Sequence, residues 1–204
     1  MSTSLRRIIS ISACIGAFLV AAVLIGFWAD YFARKTTPTI FPQLGEIQFS
    51  LPSTQGHPIS NDDLLGQPVA MFFGFTHCPE VCPVTLYTLT EITDSIGEDA
   101  KALQIVFATV DPERDTIPVL TSYIEAINKR AIGLSGAIDQ HEALQKSFRV
   151  FAQKVPLDDG DYTMDHTATV FLYDAKGHLS GTIAWGEPYE FALAKVKAVL
   201  GIKS

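Results

Sequence analysis

The chain has 204 residues, with 15 Lys+Arg against 22 Asp+Glu and a formal net charge of −7. Set apart from its apolar leader, the rest is long enough for one globular domain with its own core. From Thr36 onward the balance is 11 Lys+Arg to 21 Asp+Glu, a surface that repels phosphate backbones and excludes nucleic acid as a partner.

The first predicted element is the uncharged run Ile8 to Ala29, preceded by Arg6 and Arg7. At about 1.5 Å per residue it spans a hydrocarbon core of roughly 30 Å. Trp28 and Tyr31 sit at its far edge, as interfacial aromatics do. The amino terminus adds its charge to Arg6 and Arg7, which predicts an inside N-terminus and a domain on the outer face. Gly26-Phe27-Trp28-Ala29 is too bulky for signal cleavage, and Ile11-Ser12-Ala13-Cys14 comes too early for a lipoprotein box. No Arg- and Ser-rich transit segment precedes the run, which favours a bacterial protein. Residues 1–35 therefore read as a membrane anchor, 36–45 as a tether with two prolines, and 46–204 as the outer domain.

Within that domain, Phe49-Ser50-Leu51 and His57-Pro58-Ile59 flank Ser53-Thr54-Gln55-Gly56 as a hairpin. Ser60-Asn61-Asp62-Asp63 has the form of a capping box before a short helix. Val69 to Phe75 is a continuous apolar run, the pattern of a strand covered on both faces. Pro83 suits the first position of a helix that carries Leu86, Leu89, Ile92 and Ile96 at helical spacing. Leu103 to Val110 predicts a second buried strand, Pro118 to Ile127 a helix, Ala131 to Leu134 a short strand, and Ile138 to Phe148 a helix. Thr167 to Tyr173 and His178 to Trp185 predict two strands around Asp174-Ala175-Lys176-Gly177, closed by a helix from Pro188 to Leu200. Alternating strands and helices imply an α/β sandwich on a central mixed sheet.

Chemistry concentrates at Cys78 and Cys82, between the first buried strand and its helix. Of the three cysteines, Cys14 lies in the apolar run, so the chain is no disulfide scaffold and the pair is chemical. Helical residues at i and i+4 hold their Cβ atoms about 5 to 6 Å apart. A disulfide needs about 3.8 Å. Pro83 disfavours helical backbone at Cys82, so a loop or cap is expected between the two cysteines, with the Cys82 thiolate favoured by the helix dipole. Such a pair suits a soft metal or thiol exchange, and both readings stand. His166 is a third soft donor candidate at the edge of the sheet, and a backbone-bonded loop histidine explains its position equally well. His77 reads as a supporting neighbour of Cys78. His57, His141 and His178 read as plain turn or surface histidines, Met164 as an exposed loop residue, and Asp165 as a loop aspartate or weak outer ligand. Val110-Asp111-Pro112-Glu113-Arg114-Asp115-Thr116 follows the second strand, where open α/β sheets place their functional crevice. Its plain reading is a turn and helix cap, with Arg114 neutralising its acidic neighbours.

Three segments together resemble the Sco/SenC family of copper-binding cytochrome c oxidase assembly proteins. They are Phe73-Gly74-Phe75-Thr76-His77-Cys78-Pro79-Glu80-Val81-Cys82-Pro83, then Val110 to Thr116, then Tyr162-Thr163-Met164-Asp165-His166. Two departures, Ile117 before Pro118 and Met164, touch no ligand position. The resemblance implies a thioredoxin-like sandwich with an N-terminal β-hairpin, here preceded by one transmembrane helix. It implies one copper ion per chain, Cu(I) or Cu(II), held by Cys78, Cys82 and His166. It implies a metallochaperone for the copper centre of cytochrome c oxidase subunit II rather than a turnover enzyme. The alternative it leaves is a thiol-disulfide oxidoreductase that uses Cys78 and Cys82 to reduce a periplasmic partner. The implied location is the bacterial inner membrane, single-pass, with the domain in the periplasm.

Overall fold

The two continuous apolar runs become the centre of a five-stranded sheet in the computed structural model, which describes residues 20–28, 41–158 and 160–202. The chain divides into two units, residues 1–40 and Phe41–Ser204. In the first, residues 20–28 are helical. The rest of the run Ile8 to Ala29 expected to cross a membrane lies outside the described residues. Among the described residues, no helix is long and apolar enough to cross one.

In the second unit, β3 (Val69–Gly74) and β4 (Gln104–Thr109) pair in parallel, with Phe72 opposite Phe107. β5 (Ala131–Leu134) extends the parallel side. β8 (Thr169–Tyr173) and β9 (Leu179–Ala184) add the antiparallel side, so the order is β5-β4-β3-β8-β9. Every residue of β3 is buried, because helices cover both faces of the sheet. On one face Phe72 packs against Phe107, and Phe107 against Tyr123 of α2 (Ile117–Ile127). On the other, Phe73, Phe171 and Tyr173 close around Phe148 of α3 (Ile138–Phe148), with ring centroids 5.1 to 6.2 Å apart. Gly133 of β5 lets α2 approach: a Cβ there would lie 2.7 Å from Ile124 Cδ1 and 2.8 Å from Leu120. α1 (Val81–Ile96) and α4 (Tyr189–Val199) pack on each other.

Each such buried aromatic is worth roughly 1.5–3 kcal/mol by removal from water. A disulfide closing the short loop from Cys78 to Cys82 would contribute only about 2 kcal/mol in the chain-entropy account. The core outweighs it several times over, so the fold leaves the cysteines free for chemistry.

The N-terminal hairpin forms as expected, with β1 (Ser50–Leu51) antiparallel to β2 (Ile59–Ser60). It guards the β5 edge through the Ser53–Leu134 bridge and the Thr54 amide donating to Gly133 O at 3.0 Å. The capping box forms over a single 3-10 turn, Asp62–Leu64: the Ser60 amide and hydroxyl both donate to Asp63 Oδ2. Phe41 stacks edge-on against Phe171 at 5.4 Å and Leu44 is fully buried. Packing therefore begins inside the segment read as tether.

One hairpin escaped the sequence reading. β6 (Ala152–Pro156) and β7 (Tyr162–His166) form their own two-stranded sheet, apart from the central one. His166 is the last residue of β7, opposite Ala152, rather than a residue at the edge of the main sheet.

Candidate metal centre

The site sits where β3 ends and α1 begins, at the carboxyl ends of the parallel strands, the usual crevice of an open α/β sheet. Cys78 precedes α1, and Cys82 is its second residue. The helix starts two residues earlier than Pro83 suggested. Pro83 falls in the first turn, where backbone N–H groups have no intrahelical acceptor, so the ring costs no hydrogen bond. The Cys82 amide, one of those unpaired donors, points at Cys78 Sγ at 3.3 Å. Cys78 thus does for this helix what a capping oxygen does elsewhere.

Cys82 is fully buried and Cys78 nearly so. Gly74 makes the space: a Cβ at that position would lie 2.8 Å from both Cys82 Sγ and Phe107 Cε2. His166 comes in from the β6–β7 hairpin, with Nε2 at 3.6 Å from Cys82 Sγ. Its ring stands edge-on to Phe75 at 5.7 Å and to Phe72 at 6.4 Å. Its Nδ1 lies 3.1 Å from the Thr167 carbonyl, which can only accept. The Nδ1–H therefore donates there, and the Nε2 lone pair faces the sulfurs. The ligand atoms of Cys78, Cys82 and His166 all lie within 4.8 Å of one another, and this is the one such group among the described residues.

The two thiols are free and share their protons unequally. A hydrogen bond from the Cys82 thiol holds Cys78 well below the ordinary thiol range, against its own burial, with the α1 amide adding to the effect. The same hydrogen bond, then burial, then repulsion from the Cys78 thiolate push Cys82 up. The sequence had assigned the favoured thiolate to Cys82. The helix amide reaches Cys78 instead, because the chain before α1 folds back to place Cys78 Sγ 3.3 Å from the Cys82 N–H.

Behind the thiols lies Asp115, fully buried. Its carboxylate accepts from the Thr76 hydroxyl (2.5 Å), the Thr76 amide (3.0 Å) and the Thr109 hydroxyl (2.6 Å). Burial pushes this carboxyl up, opposed by those hydrogen bonds. The Thr76 hydroxyl gives its proton to Asp115, so His77 Nδ1, 3.1 Å from Thr76 Oγ1, is the donor of that contact. His77 is exposed and stands outside the three-donor group.

The SCO1/SenC family model matches residues 38–201. The chain belongs to the SCO1/SenC family. An SCO2-like protein of Rickettsia felis is 33% identical over 172 residues, which cover 78% of this chain and 84% of that protein. The structure of Bradyrhizobium japonicum ScoI with copper bound has a TM-score of 0.69 and 38% identity, covering 75% of this chain and 99% of that one. BsSco, described as carrying a disulfide switch and as a member of the Sco family of cytochrome c oxidase assembly proteins, shares the fold at a TM-score of 0.62 and 20% identity, over 82% of this chain and 98% of its own. The chain spans about half the length of the mitochondrial SCO2 homologues of Danio rerio and Mus musculus, 49% and 54%.

Family membership bears out the resemblance read from the three motifs, and the α/β sandwich with its N-terminal hairpin fits it. Several residues of this SCO1/SenC domain differ from their sequence reading. His141 is 1% exposed rather than superficial, and burial pushes its imidazole down to about 4, so it is neutral inside the core. Met164 is buried on the same side of β7 as His166 rather than in an exposed loop. Asp165, between them, is exposed and outside the donor group. His57 and His178 are exposed.

Proposed function

We propose that this protein is a membrane-tethered copper metallochaperone that serves the copper centre of cytochrome c oxidase subunit II, with Cys78, Cys82 and His166 holding one copper ion as cargo. The observation that carries the reading is the three soft donors whose ligand atoms lie within 4.8 Å of one another. Two thiolates and an imidazole in low coordination suit Cu(I), and Cu(II) can complete a tetragonal site with an added oxygen ligand. Structural zinc prefers four protein donors, and three converge among the described residues. Copper bound to a related ScoI supports the choice of metal. The uncharged run Ile8 to Ala29 supports the tether, and the charges of Arg6 and Arg7 support a domain on the outer, periplasmic side.

A second reading rests on the Cys78 thiolate. A thiol held anionic beside a helix N-terminus is a nucleophile. Attack by Cys78 on a partner's disulfide would form a mixed disulfide and release one partner thiol. Cys82 would then close the Cys78–Cys82 disulfide and release the second, moving two electrons and two protons to the partner.

Copper titration of the reduced, full-length protein in detergent tests the first reading. The expected result is one tightly held copper per chain, with loss of tight binding on Cys82→Ser. Binding unchanged by that substitution removes the thiol site from the account.

A further inference from the structure

The loop between β4 and α2 touches both halves of the donor set, through different residues. Toward the cysteines, Asp115 takes both the amide and the hydroxyl of Thr76, two residues before Cys78. Toward the histidine, Asp111 and Arg114 take the hairpin. Arg114 Nε donates to Asp111 Oδ2 at 2.5 Å, and the Tyr162 hydroxyl donates to Asp111 Oδ1 at 2.8 Å. Arg114 Nη1 donates to the Tyr162 carbonyl at 2.9 Å and to Asp161 Oδ1 at 3.1 Å. The Arg114 guanidinium also lies 3.6 Å from the centre of the Tyr162 ring. Tyr162 is the first residue of β7 and His166 the last.

This hairpin needs such an anchor. An isolated two-stranded ribbon is marginal in water, and β6–β7 is not hydrogen-bonded into the central sheet. Asp111 is 1% exposed and the Arg114 side chain 16%. Charged hydrogen bonds there are shielded from water and stronger than surface ones.

We propose that Asp111, Arg114 and Asp115 are positioning residues that set the donor geometry through two separable arms: Asp115 through Thr76 fixes the dithiol loop, and Asp111 with Arg114 through Tyr162 fixes the hairpin that carries His166. The inference rests on the metal reading above for its copper consequences, and on geometry alone for its mechanical ones. None of the three side chains contributes a donor to the group of Cys78, Cys82 and His166.

The test uses the full chain and two variants per arm. Arg114→Gln and Tyr162→Phe cut the histidine arm, the second while keeping the ring. Asp115→Asn and Thr76→Val cut the cysteine arm, the second while keeping the Thr76 backbone bond to Asp115. Three quantities are read: amide exchange of residues 152–166 and 76–82 in the metal-free protein, the midpoint potential of the dithiol, and copper affinity. Arg114→Gln and Tyr162→Phe should speed exchange in 152–166 only, leave the potential unchanged, and weaken copper by about 10–100-fold. Asp115→Asn and Thr76→Val should speed exchange in 76–82 and shift the potential. Equal loosening of both segments by either pair, or no loosening by any variant, overturns the two-arm assignment whether or not copper binds. A wild-type protein that takes up no copper overturns the metal reading instead, and the exchange pattern still decides the arms.

Discussion

Oxidation of the metal-free protein to the Cys78–Cys82 disulfide should abolish tight copper binding. The disulfide converts two thiolate donors into sulfur of poor ligand strength and leaves His166 alone. Geometry makes the conversion accessible: Cys78 lies outside α1 and Cys82 inside its first turn, so they are not held at the i, i+4 spacing of one helix. The reverse follows from the same atoms. A bound ion occupies both sulfurs, so copper-loaded protein should react with thiol reagents far more slowly than apo-protein. Acidity acts in the same direction on the metal. The Cys78 thiol is held low, so its thiolate persists through neutral pH, but the Cys82 thiol is pushed up and must give its proton away on binding, so copper affinity should fall steadily as pH drops. Copper titration of the fully oxidised chain, after confirming that no free thiol remains, checks this. Undiminished one-to-one binding would sink the shared-site mechanism.

The second large effect is expected from His166→Ala. Removing the imidazole takes away the one donor that is not sulfur and leaves the dithiol as two ligands. Copper affinity should fall on the order of 100-fold or more, beyond the 10–100-fold typical of supporting residues. Thiol exchange should largely survive, because the strongest influence on the Cys78 thiolate is the Cys82 hydrogen bond and not the histidine. Parallel copper titration and disulfide-reduction assays on this variant separate the two readings. Loss of thiol exchange with copper binding retained would favour the oxidoreductase and assign His166 to it.

Much of this was legible in the residues. The runs Val69 to Phe75 and Leu103 to Val110 announce the central strands because both faces are covered, and the bounds of β5 and α3 follow from their flanking turns. Cysteine spacing pointed to the site, and with the motif around His166 it gave the donor set that the fold brings together. The β6–β7 hairpin stayed hidden because its strands are half exposed and lack clean alternation: the half-buried residues of β6, Ala152 and Val155, are three apart, a spacing that does not read as a strand. The run Asp158-Asp159-Gly160 was the available turn signal in the sequence. The role of Asp111 to Asp115 was hidden for another reason. Local reading pairs Arg114 with its neighbours, and it does pair with Asp111. Glu113 instead meets Lys154 of β6, and buried Asp115 is satisfied by hydroxyls and an amide from distant strands and loops. Contacts spanning 39 to 51 residues, such as Thr76 with Asp115 and Tyr162 with Asp111, leave no trace in sequence spacing.

The most direct test of the central claim is X-ray absorption at the copper edge of the loaded, full-length protein. Two sulfur neighbours at thiolate distance and one imidazole nitrogen, with the sulfur signal lost in Cys78→Ser, Cys82→Ser double-variant protein, is the predicted result. A first shell of nitrogen and oxygen alone, or one unaltered in that variant, would contradict it.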